Sequence, residues 1–102
     1  MKIITTEEFD TEIKEGLVLV DFFATWCGPC RVMSMILDEI EEEIGEKVNI
    51  VKVDVDESEE LARRFGIMSI PTVILFVDGK LYKKHVGVWQ KDELLELLGS
   101  FN

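Results

Sequence analysis

Hydrophobic positions along this chain follow two rhythms that trade places several times. Leu17–Phe23 is a β-branched and aromatic run broken only by Asp21, and residues 48–55 alternate apolar with polar side chains. Both read as strands, because side chains in extended chain repeat every second residue. Thr72–Val77 and Lys80–Val86 flank Asp78-Gly79, a pair that favours the tight turn of a hairpin. The helical rhythm fills the gaps. Met33, Ile36, Leu37, Ile40 and Ile44 recur at three- and four-residue spacing, with Asp38, Glu39, Glu41, Glu42 and Glu43 on much of the other face and Gly45 as a stop. Thr5 and Glu8 fit a capping box for a short helix to about residue 14. Asp56 with Glu59 fits a cap for another through Phe65, closed by Gly66. Leu94, Leu95, Leu97 and Leu98 place a last amphipathic helix over 91–101. With a short first strand near Ile3 the predicted order is β α β α β α β β α. Alternating units that end in a hairpin imply an α/β fold with a central mixed five-stranded sheet flanked by four helices on its two faces.

Composition narrows the class. At 102 residues and 47% hydrophobic content the chain holds one compact core, and no Pro-, Gly- or Ser-rich stretch divides it, so residues 1–102 are expected to form a single domain. Eleven basic against twenty-one acidic residues give a charge of −10, which repels phosphate backbones and anionic membranes. No direct nucleic-acid binding and no membrane association are expected. The longest apolar runs are strand-sized, and residues 1–8 lack the basic and apolar regions of a secretory signal, so the expected location is cytoplasmic.

The candidate chemistry lies at residues 26–30, Trp-Cys-Gly-Pro-Cys, which contain both cysteines of the chain. They follow a predicted strand and open a predicted helix, where unpaired N–H groups and the positive end of the helix dipole favour thiolate over thiol at Cys27. Two cysteines form no disulfide framework, so the pair is free to cycle in a reducing compartment. A structural zinc site needs four ligands, and only His85 adds a nitrogen to the two sulfurs, so no metal is expected.

Val-Asp-Phe-Phe-Ala-Thr-Trp-Cys-Gly-Pro-Cys at 20–30, Gly-Ile-Met-Ser-Ile-Pro-Thr at 66–72 and Phe-Val-Asp-Gly-Lys at 76–80 closely resemble the thioredoxin family, and with the element order the resemblance spans essentially the whole chain. It implies the thioredoxin fold and a protein-disulfide reductant, since Gly-Pro between the cysteines resembles the reducing members. The cofactor it implies is none beyond a redox-active Cys27–Cys30 disulfide. Cys27 is then the attacking thiol, exposed at the helix start, and Cys30 the resolving thiol, one turn in and less accessible. Thiolate attack gives a mixed disulfide that Cys30 must displace. Asp21 matches the family's buried aspartate that helps move the proton of the resolving thiol, and Lys52 matches the lysine that partners it, although simple solvation of Lys52 is nearly as good a reading. Pro71 matches a cis proline lying against the cysteines, with the Ile70 backbone pairing an extended client segment. Gly28 permits close approach of that segment and Pro29 fits the first helical turn, though both also suit an ordinary helix entry. Trp26, Gly87, Val88 and Trp89 complete an apolar rim that Met68 can join, although burial as ordinary core packing is an equally good reading of each tryptophan. Disulfide-containing client proteins and a thioredoxin reductase are the implied partners of a monomer.

Two departures from the family pattern stand out. Ser34-Met35 occupies the place of the usual Ala-Pro within the helix after the cysteines, which predicts a helix without a sharp bend. Phe23 stands where many members have tryptophan. His85 reads as structural and the run Glu41, Glu42, Glu43 as a solvated helix face. A binding module whose cysteines are incidental to partner recognition is the alternative reading of the apolar rim.

Overall fold

The computed structural model describes residues 1–101. The elements are β1 (Lys2–Ile3), α1 (Phe9–Glu12), β2 (Leu17–Phe23), α2 (Gly28–Ile44), β3 (Val48–Asp54), α3 (Glu59–Arg64), β4 (Thr72–Val77), β5 (Lys80–Val86) and α4 (Lys91–Gly99). They form a five-stranded sheet in the order β1-β3-β2-β4-β5, with β1, β3 and β2 parallel, β4 antiparallel to β2, and β5 antiparallel to β4. The α/β reading and the mixed sheet with four helices are therefore correct.

Alternation along β2 sorts the core into two layers. Val18, Val20 and Phe22 point to one face, where Phe9 and Ile13 at α1 and Leu61 of α3 cover them. Leu19 points to the other, under Met33, Leu37 and Ile40 of α2 and Leu94 and Leu98 of α4. The first layer is aromatic at its centre: Phe9 meets Phe76 edge-on at 5.6 Å, and Phe65 meets both rings. Such pairs add about 0.5–1.5 kcal/mol each beyond the area they bury.

The ends of the elements show where local signals held and where they failed. The capping box forms, the Glu8 carboxylate accepting from the Thr5 N–H at 2.9 Å and Thr5 Oγ1 from the Glu8 N–H at 3.3 Å, but α1 stops at Glu12, short of residue 14. The predicted Asp56 cap does not form. Ser58 is the N-cap residue of α3 and makes no side-chain cap bond, and the Asp56 N–H is held by Asp54 Oδ1 at 2.9 Å instead. Gly66 closes that helix at φ +60°, and Asp78 and Gly79 turn the hairpin at φ +49° and +84°, as their types require. The α4 helix ends at Gly99 rather than 101. The acidic face of α2 is exposed, although Glu39 and Glu43 both reach Lys91 at the start of α4. The α2 helix runs unbroken through Ser34-Met35.

Candidate active site

Strand β2 ends in the core, and residues 24–26 turn the chain so that Cys27 caps α2. Cys27 has extended backbone, φ −95° and ψ 114°, and its sulfur accepts the Cys30 N–H at 3.2 Å. One of the orphan donors of the first turn thus ends on sulfur, and the dipole of a 17-residue helix points the same way. Both are arrangements that stabilise negative charge on Cys27 once the disulfide opens. Gly28 and Pro29 occupy the first turn, exposed, where the missing proline N–H leaves no bond unmade. The two sulfurs are joined in a disulfide.

The expected difference in accessibility is absent in this oxidised state. Cys27 is 5% and Cys30 3% exposed, because Phe23, Ala24, Val55 and Ile70 pack around the pair. An exposed Cys27 is thus corrected to one that is covered while oxidised. The covering side includes Ile70-Pro71, a cis peptide, and the Ile70 carbonyl oxygen lies 3.9 Å from Cys27 Sγ. The Gly87 N–H donates to the Pro71 carbonyl at 2.8 Å with φ +92°, a backbone angle that favours glycine, and so brings Gly87 and Val88 beside Pro71. Trp26 is 69% exposed and its indole N–H donates to Asp56 Oδ2 at 2.8 Å. Trp26, Val55, Ile67, Met68, Ser69 and Ile70 line a groove of about 190 Å³. Trp89, expected on this rim, is instead buried in the α2–α4 layer and stacks on His85 at 4.8 Å. The structure thus brings together at one end of the sheet Cys27, Cys30, Trp26, Gly28, Pro29, Ile70, Pro71, Gly87 and Val88, and leaves Trp89 out.

Asp21 and Lys52 sit opposite each other in the β2–β3 register, on the face that α2 covers. Asp21 is fully buried and neither carboxylate oxygen has a hydrogen-bond partner among the described residues. Burial raises its pKa from 3.8 to about 7, and the Lys52 charge offsets part of that rise. Lys52 makes no contact ion pair with it. The ammonium donates to Ser34 Oγ at 3.1 Å and lies 4.3 Å from the centre of the Phe23 ring. The partnership that the resemblance implies is thus one of charge acting across the strand pair rather than of contact, since a serine and an aromatic face hold the lysine. Between Cys30, Ser34 and Lys52 opens a cavity of about 230 Å³.

Three contributors went unread in the sequence. Ser34 and Phe23 had registered only as departures from a pattern, and Asp56 as a helix cap. The signal for Ser34 was its place one turn beyond Cys30, on the same side of the helix. Among the described residues no group of three or more His, Cys, Asp or Glu side chains is arranged to hold a metal, and no helix is long and apolar enough to cross a membrane.

A pair of sulfurs at a helix N-terminus, able to form and open a disulfide beside a groove, is suited to thiol–disulfide exchange. Comparison with known proteins agrees. The thioredoxin family profile matches residues 1–100. The chain is 48% identical to a thioredoxin of Listeria monocytogenes serovar 1/2a over 101 residues, covering 99% of this chain and 98% of that protein. It is 46% identical to a thioredoxin of Bacillus subtilis strain 168 over 96 residues (94% and 92%) and 44% identical to one of Chlamydia caviae over 100 residues (98% and 97%). With a full-length family match, near half-identical relatives and a closed Cys27–Cys30 pair at the head of α2, this chain belongs to the thioredoxin family and is a thiol–disulfide oxidoreductase.

Proposed function

We propose that the protein is a monomeric cytoplasmic electron carrier that reduces disulfides of client proteins and is itself reduced by a thioredoxin reductase. The observation that carries this reading is Cys27 at the N-cap of α2, its sulfur already receiving an N–H from the first turn while Cys30 lies inside it. In the reduced protein Cys27 loses its proton to solvent and its thiolate attacks one sulfur of the client disulfide. The client S–S bond breaks, and the second client sulfur leaves as a thiolate that takes up a proton. Asp21 then accepts the Cys30 proton, and the Cys30 thiolate attacks Cys27 Sγ. The mixed disulfide breaks, the first client sulfur leaves and is protonated, and the Cys27–Cys30 disulfide closes. Two electrons have passed to the client. Ile70 offers its backbone to an extended client segment, with Pro71 and Pro29 shaping the floor and Trp26, Gly28, Gly87 and Val88 the margins. The near-neutral pKa of Asp21 suits a group that must take and return a proton near pH 7.

The test is reduction of insulin disulfides with NADPH and a thioredoxin reductase. The wild-type protein is expected to turn over, and Cys27→Ser with Cys30→Ser to abolish turnover. Absence of insulin reduction by the wild type, even with dithiothreitol as donor, would overturn the reading. Partner binding that persists in the doubly substituted protein would instead favour a redox-independent binding module.

A further inference from the structure

Ser34 is the one polar side chain of α2 that meets a charged group of the sheet. It follows Cys30 by four residues, which places both on one side of the helix, and its half-buried hydroxyl takes the Lys52 ammonium at 3.1 Å. The Phe23 ring supplies the remaining contact from below, 4.3 Å to its centre. The fully buried carboxyl of Asp21, directly across the strand pair from Lys52, receives nothing. A lysine ammonium drawn up to that carboxyl would favour its ionised form. Here a neutral hydroxyl holds the ammonium instead.

We infer that Ser34 is a positioning residue: its hydroxyl holds the Lys52 ammonium over Phe23 at the cavity beside Cys30 and keeps it from closing an ion pair with Asp21. Without the hydroxyl, the ammonium loses the one side-chain acceptor it has among the described residues, and the carboxyl of Asp21, which unlike that of Asp54 holds no hydrogen bond, is the acceptor left on that face. The other charged or titratable groups around the pair are few. Arg31 lines the same cavity from α2 but is exposed, and Asp54, two residues beyond Lys52 on β3, is held to the Asp56 N–H. His85 lies two strands away across Val73 and contacts the Val88 carbonyl, and of the charged residues of α4 Lys91 is held by Glu39 and Glu43 while Asp92, Glu93 and Glu96 are exposed. None of these replaces Ser34 as a partner for Lys52. The consequence is an Asp21 that stays easier to protonate than one paired with lysine, the state its near-neutral pKa describes. The effect on turnover rests on the proposed proton-accepting role of Asp21, whereas the positioning itself does not.

The experiment is a carbon-detected NMR titration of the Asp21 carboxyl in the oxidised protein, together with the pH profile of the resolving step measured as decay of the mixed disulfide. Ser34→Ala is expected to lower the Asp21 midpoint by about one pH unit, the scale of a newly close opposite charge, and to move the acidic limb of the profile with it. Ser34→Thr keeps a hydroxyl and is expected to restore the wild-type midpoint. In a Lys52→Met background, Ser34→Ala is expected to move nothing. A midpoint unchanged or raised in Ser34→Ala, or one lowered equally without Lys52, would overturn the inference. A lowered midpoint with an unmoved rate profile would leave the positioning role standing and remove Asp21 from the proposed proton transfer.

Discussion

The two faces of the sheet obey different rules. Under α1 and α3 the core is apolar apart from the α3 N-cap Ser58 and Thr72, whose hydroxyl donates to the Ser69 carbonyl, with Phe9, Phe22 and Phe76 fully buried and their rings in contact with one another or with Phe65. Under α2 and α4 the same sheet buries a carboxyl with no hydrogen-bond partner, and a lysine and a serine at its margin. An unpaired buried carboxylate is among the costliest groups a core can hold, and it avoids that cost by staying protonated to higher pH. One face thus favours stability while the other gives some up at Asp21.

The contrast breaks most sharply at the thiols. Cys27→Ser is expected to abolish turnover and to form almost no mixed disulfide, whereas Cys30→Ser accumulates one that mass spectrometry detects, because the resolving step is gone. Trapping on Cys30 in the Cys27→Ser protein, at the rate of Cys27 in the reciprocal variant, would reverse the assignment. On the other face, Phe9→Ala is expected to cost about 3–5 kcal/mol in urea unfolding while the folded fraction keeps its rate of insulin reduction. Loss of rate per folded molecule would mean that the faces are not separable.

The two smaller predictions concern the elements around the site. Met35 is exposed in the middle of an unbroken α2, so Met35→Pro removes a helical hydrogen bond without disturbing packing and is expected to cost up to about 3 kcal/mol in urea unfolding. A neutral effect would show that α2 already tolerates a bend there. Asp56→Ala frees the Trp26 indole and is expected to change stability by about 1 kcal/mol or less, visible as a shift in tryptophan emission.

The fold was largely legible because its signals are local. The β-branched run of β2, the heptad-like spacing of α2, the Asp78-Gly79 turn and Gly66 each act within a few residues, and each formed where expected. The misses are long-range. Asp56 looked like a cap because a cap needs only its neighbours, yet its carboxylate was claimed by Trp26, thirty residues away. Trp89 belongs to the rim by family resemblance, and here it is buried against Met33, whose sulfur accepts the Trp89 backbone N–H at 3.1 Å. The Asp21–Lys52 adjacency is what the family resemblance implies and the strand register agrees with it, but the hydroxyl that diverts the lysine comes from a helix whose rotation no strand pattern fixes.

The central claim is that Asp21 is a buried carboxyl whose ionisation opposes folding, and unfolding free energy measured from pH 3 to 9 tests it most directly. A folded pKa of about 7 against the ordinary 3.8 means that the unfolded chain releases this proton first. The contribution of Asp21 to stability is therefore fully present below about pH 4 and is lost as pH rises through 7, after which it levels off. Asp21→Asn removes this dependence. The account predicts a variant increasingly more stable than wild type between about pH 4 and 7, by up to about 4 kcal/mol at about 1.4 kcal/mol per pH unit, and constant above. Parallel pH profiles for the two proteins would contradict it.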